Sequence, residues 1–182
     1  MDRVVIDPGK NNLAILLQDV REIYFLKNVT NLPSLLCWID FILKEKIDKQ
    51  NVAFYFEKQF FNKNIYAEGI LTGLVMSKFK KATVKRLKPC AKNEICKKLF
   101  SCQYIKAKSK KKLKTFTKDF FDILKTFKIF ISNDNVNNTL KEKLSLSIGF
   151  DLISDLLLTK KTKFDDIVDV LLLFLYVTIK KL

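Results

Sequence analysis

Four acidic residues sit at the edges of the most apolar stretches of the sequence: Asp7, Glu57, Asp166 and Asp169. Asp7 closes Val4-Val5-Ile6, and Glu57 closes Val52-Ala53-Phe54-Tyr55-Phe56. Asp166 and Asp169 stand three residues apart, on one face of a helical pattern that is wholly apolar from Val170 to Val177. An ionised carboxylate inside such a helix is costly unless it is paired or metal-bound. A helix N-terminus returns only about 0.3–1 kcal/mol, so something positive should lie against Asp169. Four carboxylates gathered at one point would raise one another's pKa unless cations neutralise them. Two Mg²⁺ ions supply four positive charges and can activate water on one side of a phosphate while stabilising the leaving oxygen on the other. An all-oxygen ligand set suits Mg²⁺, or Mn²⁺ in its place, rather than zinc.

Each acid also has a plainer reading. Asp7 before Pro8-Gly9 can open a turn, Asp165 or Asp166 can cap a helix, and Glu57 can lie on the surface just past its strand.

The composition narrows the chemistry. The chain has 182 residues, 34 Lys plus Arg against 19 Asp plus Glu, a formal net charge of +15 and no histidine. Without imidazole there is no Ser-His-Asp or Cys-His nucleophile and no histidine-containing zinc site. Only Arg3, Arg21 and Arg86 are arginine, and the abundant Lys, Phe, Ile and Asn suit an AT-rich genome. A compact body this basic attracts polyanions, of which nucleic acid is the commonest. A basic chain with an acidic two-metal centre reads as a nuclease.

Cys90, Cys96 and Cys102 are spaced six residues apart, which fits neither a zinc knuckle nor a redox pair. With Cys37 they read as four thiols in a reducing, intracellular compartment. Met1-Asp2-Arg3 leads straight into a strand with no signal-peptide core.

These residues need a scaffold that brings strand ends and a helix start together. The length predicts one domain over 1–182, and a hydrophobic fraction of 48% can fill its core. Val4–Ile6, Leu13–Leu17 and Ile23–Leu26 read as an antiparallel meander. Leu32 to about Lys46 has helical spacing, and Val52–Phe56 reads as a buried central strand. A helix from about Asn64 to Phe79 and a strand from Ala82 to Leu87 follow. Helical patterns come next at about 91–100, 114–128 and 139–158, then a last helix from Asp165 to Lys180. The order predicts an α/β fold with a mixed sheet and helices on both faces, and a helical insertion at about 128–160. The apolar part of the last helix spans 13 residues, short of the roughly 20 a membrane span needs, so no membrane partner is expected. Gly69 and Gly73 in mid-helix suggest a close backbone approach, to the sheet or to a second subunit.

Three motifs carry a resemblance. Ile6-Asp7-Pro8-Gly9-Lys10-Asn11-Asn12-Leu13-Ala14 resembles the Asp-x-Gly-x-x-Asn-x-Ala signature of viral and fungal RNase H-like Holliday-junction resolvases and the Asp-Pro-Gly of their bacterial RuvC-type relatives. Glu57-Lys58-Gln59-Phe60-Phe61-Asn62-Lys63-Asn64 is similar to the second motif of both groups. Phe164-Asp165-Asp166-Ile167-Val168-Asp169 resembles the poxvirus helix start. The ordered set spans essentially the whole chain. The resemblance implies an RNase H-like fold with a five-stranded mixed sheet, three antiparallel strands followed by parallel additions. It also implies a Mg²⁺-dependent endonuclease that nicks four-way DNA junctions symmetrically as a homodimer, with Asp7, Glu57, Asp166 and Asp169 holding two ions. With the AT-rich composition, it suggests a large DNA virus as source and its replication site in the host cell as location.

The same resemblance implies an active-site lysine within Lys106–Lys114, where Lys112 and Lys114 are the candidates. Lys110 and Lys111 beside them, Lys10 and Lys63 are candidate phosphate contacts, and Phe60 is a candidate for stacking at the junction centre. Solvated basic loop for the lysines, and core packing for Phe60, are the plainer readings. Rival functions are another RNase H-like nuclease cutting hybrids or flaps, a non-catalytic basic DNA-binding protein, and an actin-like ATPase, for whose two lobes the chain is too short.

Overall fold

The computed structural model describes residues 2–9, 12–27, 39–43, 47, 51–59, 62–100, 118–133, 147–148 and 165–182. In chain order the elements are β1 (Asp2–Pro8), β2 (Leu13–Leu17), β3 (Glu22–Lys27), β4 (Val52–Glu57), α1 (Asn62–Lys78), β5 (Thr83–Leu87), α2 (Cys90–Phe100), α3 (Lys118–Leu124), β6 (Lys128–Asn133), β7 (Ser147–Ile148) and α4 (Asp165–Lys180). Residues 39–43 are also helical, inside the span predicted from Leu32 to Lys46.

The strands form one mixed sheet in the order β5-β4-β1-β2-β3-β6-β7. The β1–β2 and β2–β3 pairs are antiparallel, as the meander predicts, and β4 and β5 add in parallel beside β1. The sheet has seven strands rather than five, because β6 adds in parallel to β3 and the two-residue β7 pairs antiparallel with β6. The helical reading of 128–160 is corrected at its start. Lys128-Ile129-Phe130-Ile131 is an alternating β-branched run, and pairing with β3 stacks Phe130 on Tyr24 with ring centroids 4.9 Å apart. Most of the remainder of 128–160 lies outside the described residues, and Ser147–Ile148 is strand.

The two-residue period of a strand divides the core. Val5, Ala14, Leu16, Ile23, Phe25, Ala53 and Tyr55 face one way and pack under α2, α3 and α4. Val4, Ile6, Leu13, Ile15, Tyr24, Phe54 and Phe56 face the other way, under α1 and residues 39–43. Helices therefore cover both faces. In α4 every residue from Ile167 to Leu173 is buried, which is why the segment is apolar on all sides save at Asp169. Among the described residues no helix is long and apolar enough to cross a membrane.

Candidate metal centre

In the β1–β4 pair Ile6 stands opposite Phe56, so the next residues, Asp7 and Glu57, emerge side by side at the carboxyl ends of two adjacent parallel strands. By the same alternation both belong with Val5, Ala53 and Tyr55, on the face under α2 and α4. Helix α4 starts above those strand ends and delivers Asp169 to them. The three carboxylates each offer an oxygen within 4.8 Å of the others. All are buried, Asp7 at 4%, Glu57 at 5% and Asp169 at 0% exposure.

Asp166 flanks the group. It is half-buried and accepts a hydrogen bond from Asn12 Nδ2 at 3.1 Å. The turn leading from β1 back to β2 explains this reach: a Cβ on Gly9 would lie 2.6 Å from the Asn12 carbonyl oxygen, so only glycine lets the turn close this tightly. Gln59 reaches back from the end of β4, its Nε2 lying 3.4 Å from Asp7 Oδ1. Its own backbone N–H donates to Glu68 Oε2 at 3.0 Å, and Glu68 also binds Arg86 Nε at 2.5 Å. The loop after β4 is thus tied to α1 and β5.

The positive group that Asp169 requires is present in the chain itself. Lys92, on α2, is buried and its Nζ lies 2.6 Å from Asp169 Oδ2 and 2.6 Å from Glu57 Oε1. Burial alone would lower the lysine's pKa. The charges of Asp169, Glu57 and Asp7 and the hydrogen bond to Asp169 together outweigh that and hold it above the ordinary value. Asp7 is treated differently: burial pushes its carboxyl well above the usual range, Glu57, Asp169 and Asp166 push it further, and Lys92 opposes them only in part. Asp7 Oδ2 is buried and has no hydrogen-bond partner among the described residues.

That orphaned oxygen decides how the residues fit a metal. An all-carboxylate donor set, with one buried acceptor lacking any donor among the described residues, fits a hard divalent cation. Oxygens within 4.8 Å of one another are near enough for one such ion, Mg²⁺ for example, to be held by all three carboxylates. Mn²⁺ accepts the same donors.

The structure thus brings together Asp7, Glu57 and Asp169, with Asp166 alongside. Lys10, Phe60, Lys110, Lys111, Lys112 and Lys114 lie outside the described residues, and Lys63 is placed only as a residue in the first turn of α1. Of the two alternatives for Gly69 and Gly73, the close approach to the sheet is corrected. Both are exposed, and a Cβ on either would have no atom within 4 Å among the described residues. Sequence reasoning missed Lys92, although the signal was there: on α2 it shares the face of Ala91, Ile95 and Cys96, all buried, so a lysine interrupts an apolar stripe. No protein-family model matches the chain, and no curated protein matches it.

Proposed function

We propose that the chain is a Mg²⁺-dependent, structure-specific endonuclease that resolves four-way DNA junctions by symmetric paired nicks, with Mn²⁺ able to replace Mg²⁺. The observation that carries this reading is the convergence of Asp7, Glu57 and Asp169 within 4.8 Å, with Asp7 Oδ2 left without a donor among the described residues. A bound divalent cation supplies Lewis-acid activation of a phosphodiester and neutralises charge that builds up on it. Asp7, Glu57 and Asp169 are the residues that hold it. Asn12 orients Asp166, and Gln59 steadies the Asp7 carboxylate. A net charge of +15 draws the DNA backbone toward an otherwise acidic centre. Hydrolysis leaves a 5′-phosphate and a 3′-hydroxyl.

Two symmetric nicks need two centres, so the active form is a homodimer. Exposed Ile65, Tyr66 and Met76 on α1, on the helix that carries Gly69 and Gly73, offer a surface for the second copy. A mass measurement on the junction-bound protein checks this: a monomer overturns it.

The test of the activity is incubation of a synthetic immobile junction with the wild-type chain and with Asp169→Asn, in Mg²⁺ and in EDTA. Paired nicks by the wild type in Mg²⁺ alone support the reading, and uncut junction overturns it. Hybrid and flap substrates assayed beside the junction separate the other RNase H-like nucleases. One observation favours a second reading, a non-catalytic DNA-binding protein: the Lys92 ammonium already serves two of the three acids. On that reading Asp7→Asn leaves function untouched.

A further inference from the structure

We propose that Arg86, at the edge of the sheet, grips a backbone phosphate of the DNA beside the candidate centre, with Glu68 holding its guanidinium in place. The proposal rests on the DNA-cutting reading above and names a contact by which this chain would hold its substrate.

The residue types are the first support. Thr83-Val84-Lys85-Arg86-Leu87 forms β5, an edge strand of the sheet, and Lys88 follows it. Lys85, Arg86 and Lys88 are all exposed, so this stretch presents cations to solvent. Arg86 is one of three arginines among 34 basic residues. A guanidinium offers five N–H donors in a planar fork that matches two phosphate oxygens at once, which an ammonium cannot do.

The geometry sets this fork apart from the many lysines. Arg86 stands opposite Phe56 on β4, one residue before the pair Glu57–Leu87. It therefore lies one step below the rim that carries the acids. Two strand spacings of about 4.8 Å put it about 10 Å across the sheet from the strand that ends beside Asp7. At about 3.4 Å of rise per nucleotide, that is about three nucleotides along a DNA strand crossing the rim.

The Glu68 side chain is 6% exposed, whereas that of Arg86 is 56% exposed. Only Nε is used for the tie, at 2.5 Å from Glu68 Oε1. The two Nη groups have no partner among the described residues. A tie to Glu68 needs one positive charge, and lysine would serve. An arginine held by Nε alone keeps both amino groups for a second anion and has little freedom left to lose on binding it. Glu68 Oε2 accepts from the Gln59 N–H, so the carboxylate that aims the arginine is joined to the loop that reaches Asp7. Loss of Glu68 would unpin the fork and also remove a competing negative charge, two effects of opposite sign on DNA affinity.

The experiment is binding of a synthetic immobile junction to the full-length chain in EDTA, where no cutting intervenes, over a range of salt concentrations. Arg86→Gln is expected to weaken binding about tenfold and to make the fall of log K with log salt shallower by about 0.9. Arg86→Lys keeps the charge but loses the fork, and should weaken binding about fivefold with the salt slope retained. Lys128→Gln removes the same charge from an exposed position at the opposite rim and should leave the slope unchanged. Equal changes in Arg86→Gln and Lys128→Gln would mean that net charge alone acts, and overturn the proposal. So would wild-type affinity in Arg86→Lys, the result if the arginine only ties Glu68. Thermal unfolding of each variant reports that tie separately, and if Arg86→Gln fails to fold, Arg86→Lys still decides. A junction bound through Arg86 but left uncut in Mg²⁺ keeps this contact and overturns the nuclease reading. A chain that binds no junction in EDTA or in Mg²⁺ overturns both.

Discussion

Lys92 Nζ lies 2.6 Å from Asp169 Oδ2, joining the N-terminal turns of α2 and α4 inside the core. The two helices pack against each other, and this contact fixes how they are rotated at the end nearest Asp7 and Glu57. Asp169 near a helix start gains from the helix dipole, whereas Lys92 near the start of α2 sits against it. The carboxylates must outweigh that as well as desolvation. A buried ion pair is weak evidence for stability, since an apolar pair of equal volume is often as good or better. Its place among three acids at the strand ends points instead to the chemistry of the centre.

Removing one partner leaves the other buried and uncompensated. Lys92→Met is expected to destabilise the metal-free chain by about 3–5 kcal/mol. Lys97→Met, on the exposed side of the same helix, should stay within about 0.5 kcal/mol. Thermal unfolding in EDTA measures both, and equal effects would show that Lys92 carries no buried charge.

Asp7→Asn should move stability and activity in opposite directions. The folded state raises the Asp7 pKa, chiefly through burial, so above the ordinary carboxyl pKa its ionisation works against folding. Wild-type stability therefore falls as pH rises from the unfolded carboxyl value toward the raised folded one. The asparagine variant lacks that fall. In EDTA at pH 7 it should melt higher than wild type, by about 2–4 °C for each 1 kcal/mol relieved, with the gap narrowing toward pH 4. Junction cleavage in Mg²⁺ should drop about 10³-fold or more, as the loss of several kcal/mol of charge stabilisation requires, while junction binding is retained.

Much of this arrangement is legible in the sequence, and for a physical reason. Asp7 and Glu57 each end an uninterrupted apolar run, and such runs become buried parallel strands whose last residues share one rim. Asp169 breaks an apolar helix, which signals a buried charge in need of a partner. The partner escaped because Lys92 lies among many lysines, and only its place on the apolar stripe of α2 distinguishes it. Strand β6 escaped for another reason: Ile129, Phe130 and Ile131 suit a strand or the end of a buried helix, and the choice is made by β3, about a hundred residues earlier in the chain. Asn12 and Gln59 stand in recognisable motifs, but their reach to Asp166 and Asp7 depends on turn geometry that residue spacing does not encode.

The loop after β4 is held by Glu68, which accepts from the Gln59 backbone N–H and from Arg86. Glu68→Ala strips the Gln59 N–H of that acceptor and frees the side chain that steadies Asp7. A stability loss of about 1–3 kcal/mol is expected, with a cleavage rate lowered about tenfold and little change in junction affinity. Single-turnover cleavage and a binding titration separate the two effects. A proportionate loss of binding would mean that the loop holds DNA rather than the carboxylate.

At the opposite end of the sheet, Tyr24 donates its hydroxyl to the Glu22 carboxylate while its ring stacks on Phe130. Both residues are buried. Burial, followed by the hydrogen bond and charge of Glu22, raises the Tyr24 pKa far above its usual value. The unfolded chain therefore loses the Tyr24 proton near pH 10 while the folded chain keeps it, and this residue makes stability fall as pH rises above about 10. Tyr24→Phe keeps the stacked ring but removes the hydroxyl donor from a buried carboxylate, at a cost of about 1–3 kcal/mol at pH 7. Since phenylalanine does not ionise, the variant should lose less stability than wild type between pH 9 and 11. Denaturant unfolding of both proteins across that range measures the difference, and parallel curves would mean that the hydroxyl reaches solvent. Cleavage should be unchanged per folded molecule, because Glu22 begins β3 at the rim opposite Asp7.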